Sequence, residues 1–480
     1  MRGKNKKSEP AQIGYFFGQS YRDLLKIIKE SWGKNKQNIQ SLWGKIGQVW
    51  ADQVIYKAIC LVFLRVATLI SVAVFGSVFT AVFSLVHIVL LFALMGIVYV
   101  SFVVLKFVDT VFCLIKGLSN NCYNSGCERK FRMPIYVCPK CGVYHYSLVP
   151  SKYGILKRKC QCGELLPTTF FNGRQRLDSL CPHCQSPVIK GAHRSLLIPV
   201  VGGANSGKTC YVNMAIKQIE QNASLWNLDF EYQYVAGDEY KENSERMVNG
   251  LCPVKTNHLD FKYYNFFLSS KGDKTKNLIS ICDIAGEVFA NQDDMIRQQG
   301  YRFADGMIVV IDPLSITEYK NQLKKELSPQ KFQSLNASTQ TIGEILSGVI
   351  TTLEGLCHID AKSTINKTLV VVFTKCDVAD LDDRIGNAAV NRYISQNANV
   401  SFCDASNAVC ERFLTEYGES SFLNTVKGKF REVQFFGCSA LGHDETGKAF
   451  NATNVEQPLL WLIDKMSRAI NLSKLWGEKL

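Results

Sequence analysis

The residues with the clearest chemical meaning form a glycine-rich loop in the second half of the chain. The letters GGANSGKT fit the pattern G-x-x-x-x-G-K-[ST], with Lys208 and Thr209 at its end. An apolar run over residues 196–201 precedes the loop and a helical pattern follows, a context in which backbone N–H groups converge on phosphate oxygens. The lysine then reaches the β- and γ-phosphates, and the threonine hydroxyl binds Mg²⁺. The predicted phosphate-binding loop comprises Gly202, Gly203, Ala204, Asn205, Ser206, Gly207, Lys208 and Thr209.

A second motif suited to Mg²⁺ ends the apolar run NLISICD. Asp283 and Gly286 fit the pattern D-x-x-G. In this pattern the carboxylate holds the cation through water, and the glycine N–H contacts the γ-phosphate. Since parallel strands expose their carboxyl ends at one edge of a sheet, we expect Asp283 to lie near the glycine-rich loop.

Two later motifs indicate which base is bound. The buried-strand pattern LVVVF ends in Thr374, Lys375 and Asp377, which fit [NT]KxD. The Asp377 carboxylate accepts two N–H bonds from the guanine edge, and adenine lacks that donor pair. A further strand pattern ends in Ser439 and Ala440, which fit the motif that braces the guanine O6. The four motifs together predict binding of GTP or GDP rather than ATP.

Three closely spaced cysteine pairs precede these motifs and predict Zn²⁺ sites. Such pairs on tight turns bring thiolates to one tetrahedral ion, and a reducing cytosol disfavours the alternative of disulfides. Two pairings are open: the first pair closes a site with either the third or the second. Cys122, Cys127, His145 or His183 can complete a second site. The three pairs are Cys138 and Cys141, Cys160 and Cys162, and Cys181 and Cys184.

A long uncharged segment predicts a membrane anchor. Residues 66–105 contain no Asp, Glu, Lys or Arg, whereas one transmembrane helix needs about 20 apolar residues. We therefore predict a hairpin with spans at about 66–84 and 88–105, turning near residues 84–87; a re-entrant hairpin is the alternative. Both flanks are basic, which predicts that both termini are cytoplasmic.

The charge distribution supports lipid contact rather than nucleic-acid binding. The net charge is +7 over residues 1–57, +10 over 116–195 and −5 over 196–480. A nucleic-acid-binding domain is more often basic throughout, whereas basic flanks beside an apolar segment suit anionic lipid. Residues 1–56 read as a basic amphipathic segment, which lies either at the membrane interface or against the protein itself.

The four nucleotide motifs, spread over residues 196–470, resemble the GTPase domains of the TRAFAC class. With the cysteine-rich segment directly before the loop and the apolar segment before that, the chain most nearly resembles the bacterial double-GTPase type 2 family. That resemblance implies Mg²⁺ as cofactor. It also implies a second GTPase as protein partner and a role in bacterial conflict or stress signalling.

The resemblance also implies catalytic residues. Lys208 acts on the phosphates, and Thr256, ahead of an extended segment, takes the role of the switch threonine that binds Mg²⁺ and the γ-phosphate. Many hydrolytic relatives carry Gln after the D-x-x-G glycine to orient the attacking water, where this chain has Glu287. Glu287 either takes over that role or only begins a helix. No arginine finger can be assigned.

The expected fold is α/β, a P-loop NTPase three-layer sandwich with a mostly parallel sheet. The predicted parts are the segment 1–56, a transmembrane hairpin over 57–117, a zinc-ribbon-like module over 118–193 and the GTPase domain over 194–480. Three functions fit: a GTPase switch, a GTP-sensing scaffold without hydrolysis, and a GTP-driven membrane remodelling or transport protein. The uncharged membrane segment disfavours the third, because transport paths usually contain charged groups.

Overall fold

The computed structural model describes residues 9–52, 55–124, 127–191, 193–234, 239–253, 262–273, 276–283, 300–442, 450–467, 470 and 472. The chain divides into two compact units. The first, the N-terminal unit, comprises Met1–Ile115 and Ile135–Leu180. The second, the sheet unit, comprises Lys116–Pro134 and Cys181–Leu480. These boundaries differ from the predicted division at residues 118 and 194, because each unit takes a share of the cysteine-rich segment.

The described helices and strands follow in chain order. The helices are α1 (Gln19–Asp52), α2 (Ile55–Ile115), α3 (Lys208–Asn222), α4 (Tyr240–Val248), α5 (Gly300–Phe303), α6 (Thr317–Glu326), α7 (Pro329–Ser334), α8 (Ile342–Cys357), α9 (Leu381–Arg384), α10 (Asn387–Gln396), α11 (Phe402–Glu416), α12 (Ser420–Lys429) and α13 (Glu456–Met466). The strands are β1 (Asn120–Asn121), β2 (Lys130–Phe131), β3 (Ile135–Val137), β4 (Tyr144–His145), β5 (Lys157–Lys159), β6 (Leu165–Pro167), β7 (Ser179–Leu180), β8 (His193–Gly202), β9 (Leu228–Tyr232), β10 (Lys262–Ser270), β11 (Lys276–Asp283), β12 (Gly306–Ile311), β13 (Ile365–Phe373) and β14 (Phe430–Gly437).

The apolar segment is one uninterrupted helix of 61 residues, α2, rather than the expected hairpin. The polar side chains at the expected turn bond within the helix: the Ser84 hydroxyl donates to the Thr80 carbonyl at 2.7 Å, and His87 Nδ1 lies 2.8 Å from the Phe83 carbonyl oxygen. Residues 84–87 also lack Gly and Pro, so nothing there interrupts the helix. Among the described residues, α2 is the one helix long and apolar enough to cross a membrane.

The basic helix α1 packs antiparallel along α2 within the N-terminal unit. Asn35 Nδ2 donates to Ser77 Oγ at 3.1 Å, midway along both helices. Further along α2, the Phe17 ring lies 5.0 Å from the ring of Tyr99 and 6.0 Å from that of Phe102. Of the two readings of residues 1–56, these contacts favour the helix that lies against the protein itself.

Small antiparallel sheets form the rest of the N-terminal unit. Strand β3 pairs with both β4 and β7, and β5 pairs with β6. Asp109, near the end of α2, lies in this unit and is 3% exposed. It accepts a bond from the Phe170 N–H at 2.7 Å and pairs with Arg174 at 2.9 Å. The buried Asp109 carboxylate is thus both hydrogen-bonded and paired with a cation, which offsets the cost of burying its charge.

A seven-stranded sheet forms the sheet unit, in the order β14-β13-β12-β8-β11-β10-β9. Strands β14, β13, β12, β8 and β11 are parallel, and β10 runs antiparallel to both β11 and β9. The runs IVV in β12 and LVVV in β13 are buried throughout, as expected for central strands covered on both faces. The expected α/β fold with a mostly parallel sheet is confirmed.

The strand order determines where a ligand can bind. From β8 the chain proceeds toward β11 on one side, and later through β12, β13 and β14 on the other. Right-handed crossovers in opposite directions place helices on opposite faces and leave a crevice at the carboxyl ends of the strands. All four nucleotide motifs follow a strand at that edge: β8, β11, β13 and β14.

Candidate nucleotide-binding site

The glycine-rich loop joins the end of β8 to the first residue of α3. A Cβ atom at Gly202 would lie 2.3 Å from the Val310 carbonyl oxygen, so this position excludes any larger residue. Gly207 has φ +82°, in the left-handed region where a side chain is strained. Asn205, with φ +60°, is a residue type that tolerates this region. The loop can therefore bring its backbone close to a ligand at the N-terminus of α3.

The side chain of Lys208 lies against the glycine-rich loop. Its ammonium group donates to the carbonyl oxygens of Gly202 at 2.9 Å and Gly203 at 2.8 Å. The side chain is 8% exposed. The positive charge is thus held where an anion at the start of α3 would meet both the ammonium group and the helix N-terminus.

Thr209, in the first turn of α3, contacts Asp283, the last residue of β11, as their motifs predict. The Thr209 hydroxyl donates to Asp283 Oδ2 at 2.8 Å. Asp283 is 1% exposed, and its other oxygen, Oδ1, has no hydrogen-bond partner among the described residues. Burial raises the pKa of this carboxyl, while Lys208 and the bond from Thr209 lower it. A buried carboxylate oxygen left unpaired beside a hydroxyl fits a hard divalent cation such as Mg²⁺.

The segment after β13 is bonded to the glycine-rich loop. The Thr374 hydroxyl donates to the Ser206 carbonyl at 2.7 Å, which ties the base motif to the phosphate motif. Lys375 has φ +59°, and its ammonium group donates to Asp312 Oδ2 at 2.7 Å and to the Asn336 carbonyl at 3.0 Å. These bonds fix the backbone that precedes Asp377.

The two base motifs meet each other. The Ser439 hydroxyl donates to Asp377 Oδ1 and accepts a bond from the Gly442 N–H at 2.8 Å. The backbones are also joined, because the Cys376 N–H donates to the Cys438 carbonyl at 3.2 Å. Ala440 lines the same cavity as Asp377. The structure therefore brings together the two strand ends that the sequence assigned to guanine.

A cavity of about 490 Å³ connects the glycine-rich loop with the two base motifs. This is the size of an ordinary small-molecule pocket. Its lining includes residues that the sequence analysis missed: Cys210, Cys252, Lys331, Asn336 and Phe450. Another missed residue is Asp312, whose buried carboxylate holds Lys375; its place directly after β12, at the same sheet edge, was the available signal.

Three predicted residues lie outside the described part of the chain. These are the switch threonine Thr256, Gly286 of D-x-x-G, and Glu287. Their assignments stay predictions.

Eight cysteines of the described residues form two clusters of four. One, cluster A, comprises Cys122, Cys127, Cys181 and Cys184; the other, cluster B, comprises Cys138, Cys141, Cys160 and Cys162. Sγ–Sγ distances are 3.3 and 3.8 Å in cluster A, and 3.7 Å twice in cluster B. A tetrahedral ion with Zn–S bonds of about 2.3 Å requires sulfur atoms about 3.8 Å apart. Both clusters therefore fit a metal ion such as Zn²⁺.

Of the two open pairings, the structure selects the one that joins the first and second pairs. It excludes the joining of Cys138 and Cys141 with Cys181 and Cys184, because these pairs lie in different clusters. Neither His145 nor His183 belongs to a cluster. Upstream Cys122 and Cys127 complete cluster A, as one sequence alternative allowed.

One comparison with known proteins covers the glycine-rich loop and the two motifs that follow β11 and β13. Residues 196–418 match the family described as Double-GTPase 2. Curated proteins yield no match. A solved structure, Roco2 RocCORdC from Methanosarcina barkeri bound to GDP, shares 12% identity and has a TM-score of 0.22, a similarity too low to carry an argument. The match covers 57% of this chain and 50% of that chain, so this chain spans about half of the Roco2 protein. Over residues 196–418, the chain is a P-loop GTPase of the Double-GTPase 2 family.

Proposed function

We propose that the protein binds GTP with Mg²⁺, hydrolyses it to GDP and phosphate, and acts as a membrane-anchored signalling switch. The observation that carries the proposal is the hydrogen bond between Thr209 and the buried carboxylate of Asp283, beside Lys208. These groups form a cation and phosphate site at one end of the carboxyl edge. Asp377 and Ser439 form a base site at the other end.

Each described residue has a definite task in this function. Lys208 and the N-terminus of α3 bind the phosphates, and Thr209 with Asp283 holds the cation, which supplies positive charge to the phosphate oxygens. Two residues outside the described part complete the proposal. Thr256 adds a ligand to the cation once GTP is bound, and Glu287 orients the water that attacks the γ-phosphate.

The preference for guanine follows from hydrogen-bond complementarity. The Asp377 carboxylate is an acceptor only, and guanine offers two N–H donors at the edge it would face. Adenine offers no such pair, so the half-buried carboxylate would face it with unmatched lone pairs. A site that hydrogen-bonds its ligand rejects an analogue without the matching donors more strongly than an apolar pocket rejects an analogue of slightly different size.

The membrane role rests on α2. Its uncharged run of 40 residues, 66–105, extends about 60 Å at 1.5 Å per residue, well beyond the hydrocarbon thickness of about 30 Å. We propose that α2 anchors the protein in the inner membrane of a bacterium, with the sheet unit in the cytoplasm. Protease protection of tags at each terminus in inverted and right-side-out vesicles tests the orientation. Protection of the two tags in opposite vesicle types indicates that α2 crosses once, and protection of both in the same type indicates an even number of crossings.

The signalling role rests on the family. The partner proposed is a second GTPase, in conflict or stress signalling. Co-purification of the full-length protein, loaded with GTP or with GDP, tests whether a GTPase binds in one nucleotide state only. Equal recovery in both states contradicts the switch.

The test of activity uses full-length protein in detergent with Mg²⁺. We expect GTP to bind at least 100-fold more tightly than ATP and to release phosphate. Lys208→Ala should abolish both, whereas the matched control Lys217→Ala, on the same helix but paired with Glu220 at 3.0 Å, should leave them unchanged. Binding without phosphate release supports the GTP-sensing scaffold instead. Absence of nucleotide binding refutes the proposal.

A further inference from the structure

A short segment between α7 and α8 lies against the glycine-rich loop and belongs to none of the four nucleotide motifs. It comprises residues 335–340 and is called the bridging segment below. A Cβ atom at Gly203 would lie 2.6 Å from Ser338 Oγ and 3.2 Å from Gln340 Oε1. The bridging segment therefore packs directly on the backbone of the loop.

Within this segment, Asn336 joins the phosphate motif to a base motif. Its Oδ1 accepts a hydrogen bond from Asn205 Nδ2 at 3.3 Å, and its backbone carbonyl accepts one from the Lys375 ammonium group at 3.0 Å. Asn205 lies in the glycine-rich loop, and Lys375 follows β13. One residue thus contacts two motifs that are 170 positions apart in the chain, at residues 205 and 375.

The backbone on both sides of Asn336 is fixed by hydrogen bonds. The Asn336 N–H donates to the Gln333 carbonyl at 3.2 Å, at the end of α7. Asn336 has φ +46°, a conformation that asparagine tolerates better than most residues. Two residues later, the Ser338 N–H donates to the buried Asp312 carboxylate at 2.9 Å. The side chain of Asn336 is therefore held in place rather than free to rotate away with its backbone.

The position of Asn336 brings it next to a bound ligand. It is exposed and lines the cavity together with Asn205 and Asp377, whereas Ser338, behind it, is 2% exposed. A nucleotide that reaches from the N-terminus of α3 to Asp377 fills this cavity. Its release thus takes place past the contact between the two asparagine side chains.

We propose that Asn336 is a positioning residue that slows the release of bound nucleotide. By contacting both Asn205 and Lys375, it holds the phosphate-binding and base-binding parts of the site in one arrangement. A bound nucleotide spans both parts and stabilises the same arrangement, so that the nucleotide leaves after the contact of Asn336 with Asn205 has opened. This inference rests on the proposed nucleotide site and adds a residue that controls its exchange.

The expected effect is on the dissociation rate. Differences in affinity among variants of one binding site lie mostly in dissociation rather than association. GDP and GTP both carry the base and the first two phosphates, so loss of the contact should speed the release of both. Association should change little, because the loop and the base motifs themselves are intact.

The experiment measures release of a fluorescent GDP analogue from full-length protein in detergent with Mg²⁺, by stopped flow into excess unlabelled GDP. The variants are Asn336→Gly and Asn205→Gly, because both positions have positive φ, at +46° and +60°, and glycine retains that backbone while removing the amide. Each should release the analogue about tenfold faster, the effect of one lost hydrogen bond, with association within about twofold. The double variant should release it no faster than either single variant, since all three lack the same contact.

The matched control is Asn399→Gly. Asn399 is also exposed and has φ +64°, but it does not line the cavity. Its variant should release the analogue at the wild-type rate. Thermal unfolding of the nucleotide-free proteins should agree within about 2 °C for all single variants, which separates an effect on release from an effect on the fold.

Two results overturn the proposal while leaving the nucleotide site in place. They are wild-type release from Asn336→Gly, and multiplied effects of the two substitutions in the double variant. A release rate raised equally in Asn399→Gly would also overturn it, because the cause would then be glycine itself. Failure of the wild type to bind guanine nucleotide overturns the proposed function, and the role of Asn336 with it.

Discussion

At the scale of the residue, Asp377 has the most specific role proposed for this chain. Its carboxylate accepts the Ser439 hydroxyl and lies in the cavity wall. Asn at this position would present one donor and one acceptor in place of two acceptors. That pattern mismatches guanine and matches xanthine, which has a carbonyl where guanine has its amino group.

The first prediction is therefore a change of specificity. Asp377→Asn should weaken GTP binding roughly 100-fold, since two charge-assisted hydrogen bonds are lost, and should improve binding of xanthosine triphosphate. Fluorescent-nucleotide titration of the full-length protein measures both. Asp383→Asn, at an exposed carboxylate on α9, is the matched control and should behave as the wild type. Equal loss for both triphosphates would contradict the assigned hydrogen bonds.

A second prediction concerns pH and His193, the first residue of β8. His193 is 3% exposed, and burial lowers its pKa to about 4. In the unfolded chain the pKa of this histidine is near 6.5. Between about pH 4 and pH 6.5 the unfolded chain therefore binds a proton at His193 that the folded chain does not bind. Stability therefore falls as the pH falls from about 6.5 to about 4, by roughly 3 kcal/mol for this group. Above about pH 6.5, His193 does not contribute to the pH dependence of the free energy of unfolding.

Urea unfolding of full-length protein across that pH range measures the effect. His193→Gln should reduce the acid-induced loss of stability by roughly 3 kcal/mol relative to the wild type, because its side chain does not titrate. If the free energy of unfolding fell equally with pH in both proteins, the proposed effect of burying His193 would be contradicted. The difference between the two proteins cancels the titration of the cysteine clusters.

At the scale of the element, the end of β12 organises the region around Lys375. The buried Asp312 carboxylate accepts the Leu314 N–H at 2.9 Å and the Ser338 N–H at 2.9 Å, besides the Lys375 ammonium group. One residue thus joins a strand end, a short turn and the segment before α8. Removing it leaves a half-buried cation and two N–H groups without their acceptor.

The third prediction is that Asp312→Ala lowers both stability and GTP affinity. Breaking a buried ion pair costs about 3 kcal/mol or more. GTP affinity should fall at least tenfold, because Lys375 positions the backbone before Asp377. Glu318→Ala, at a carboxylate in the first turn of α6, is the control and should cost less than 1 kcal/mol. Thermal unfolding and nucleotide titration separate the two effects, and unchanged affinity would show that Lys375 does not depend on Asp312.

At the scale of the whole molecule, the two cysteine clusters belong to different compact units. Cluster A lies in the sheet unit, where neighbouring residues contact the sheet: Glu128 accepts the Tyr263 hydroxyl at 2.5 Å, and Lys130 pairs with Asp305 at 2.7 Å. Cluster B lies in the N-terminal unit. If both hold Zn²⁺, metal in cluster A stabilises the fold that binds nucleotide.

The fourth prediction compares one exposed cysteine from each cluster. Wild-type protein should carry two Zn²⁺ per chain, and both Cys184→Ser and Cys141→Ser should carry one. Cys184→Ser should lower the temperature at which GTP binding is lost by roughly 5–10 °C, because metal binding contributes folding free energy. Cys141→Ser should leave that temperature unchanged. Elemental analysis and thermal inactivation measure these quantities, and an equal shift in both variants would contradict separate roles.

Several features follow from the sequence alone. The buried runs of β12 and β13, and the loop from Gly202 to Thr209, depend on local pattern: apolar continuity, glycine spacing and helix initiation are written in neighbouring residues. The parallel sheet and the ligand edge then follow from general rules of chain crossing. The contact of Thr209 with Asp283 was predictable for that reason.

Tertiary structure alone decides the rest. The pairing of cysteines into clusters A and B, and the contacts of the buried Asp312 with Ser338 and Lys375, join residues that are distant in the chain, and no local pattern encodes such distances. The apolar segment shows the same limit, because its length permitted either a hairpin or one helix. In the structure α2 continues without a break through residues 84–87, which contain no Gly or Pro and whose polar side chains contact carbonyl groups of the same helix.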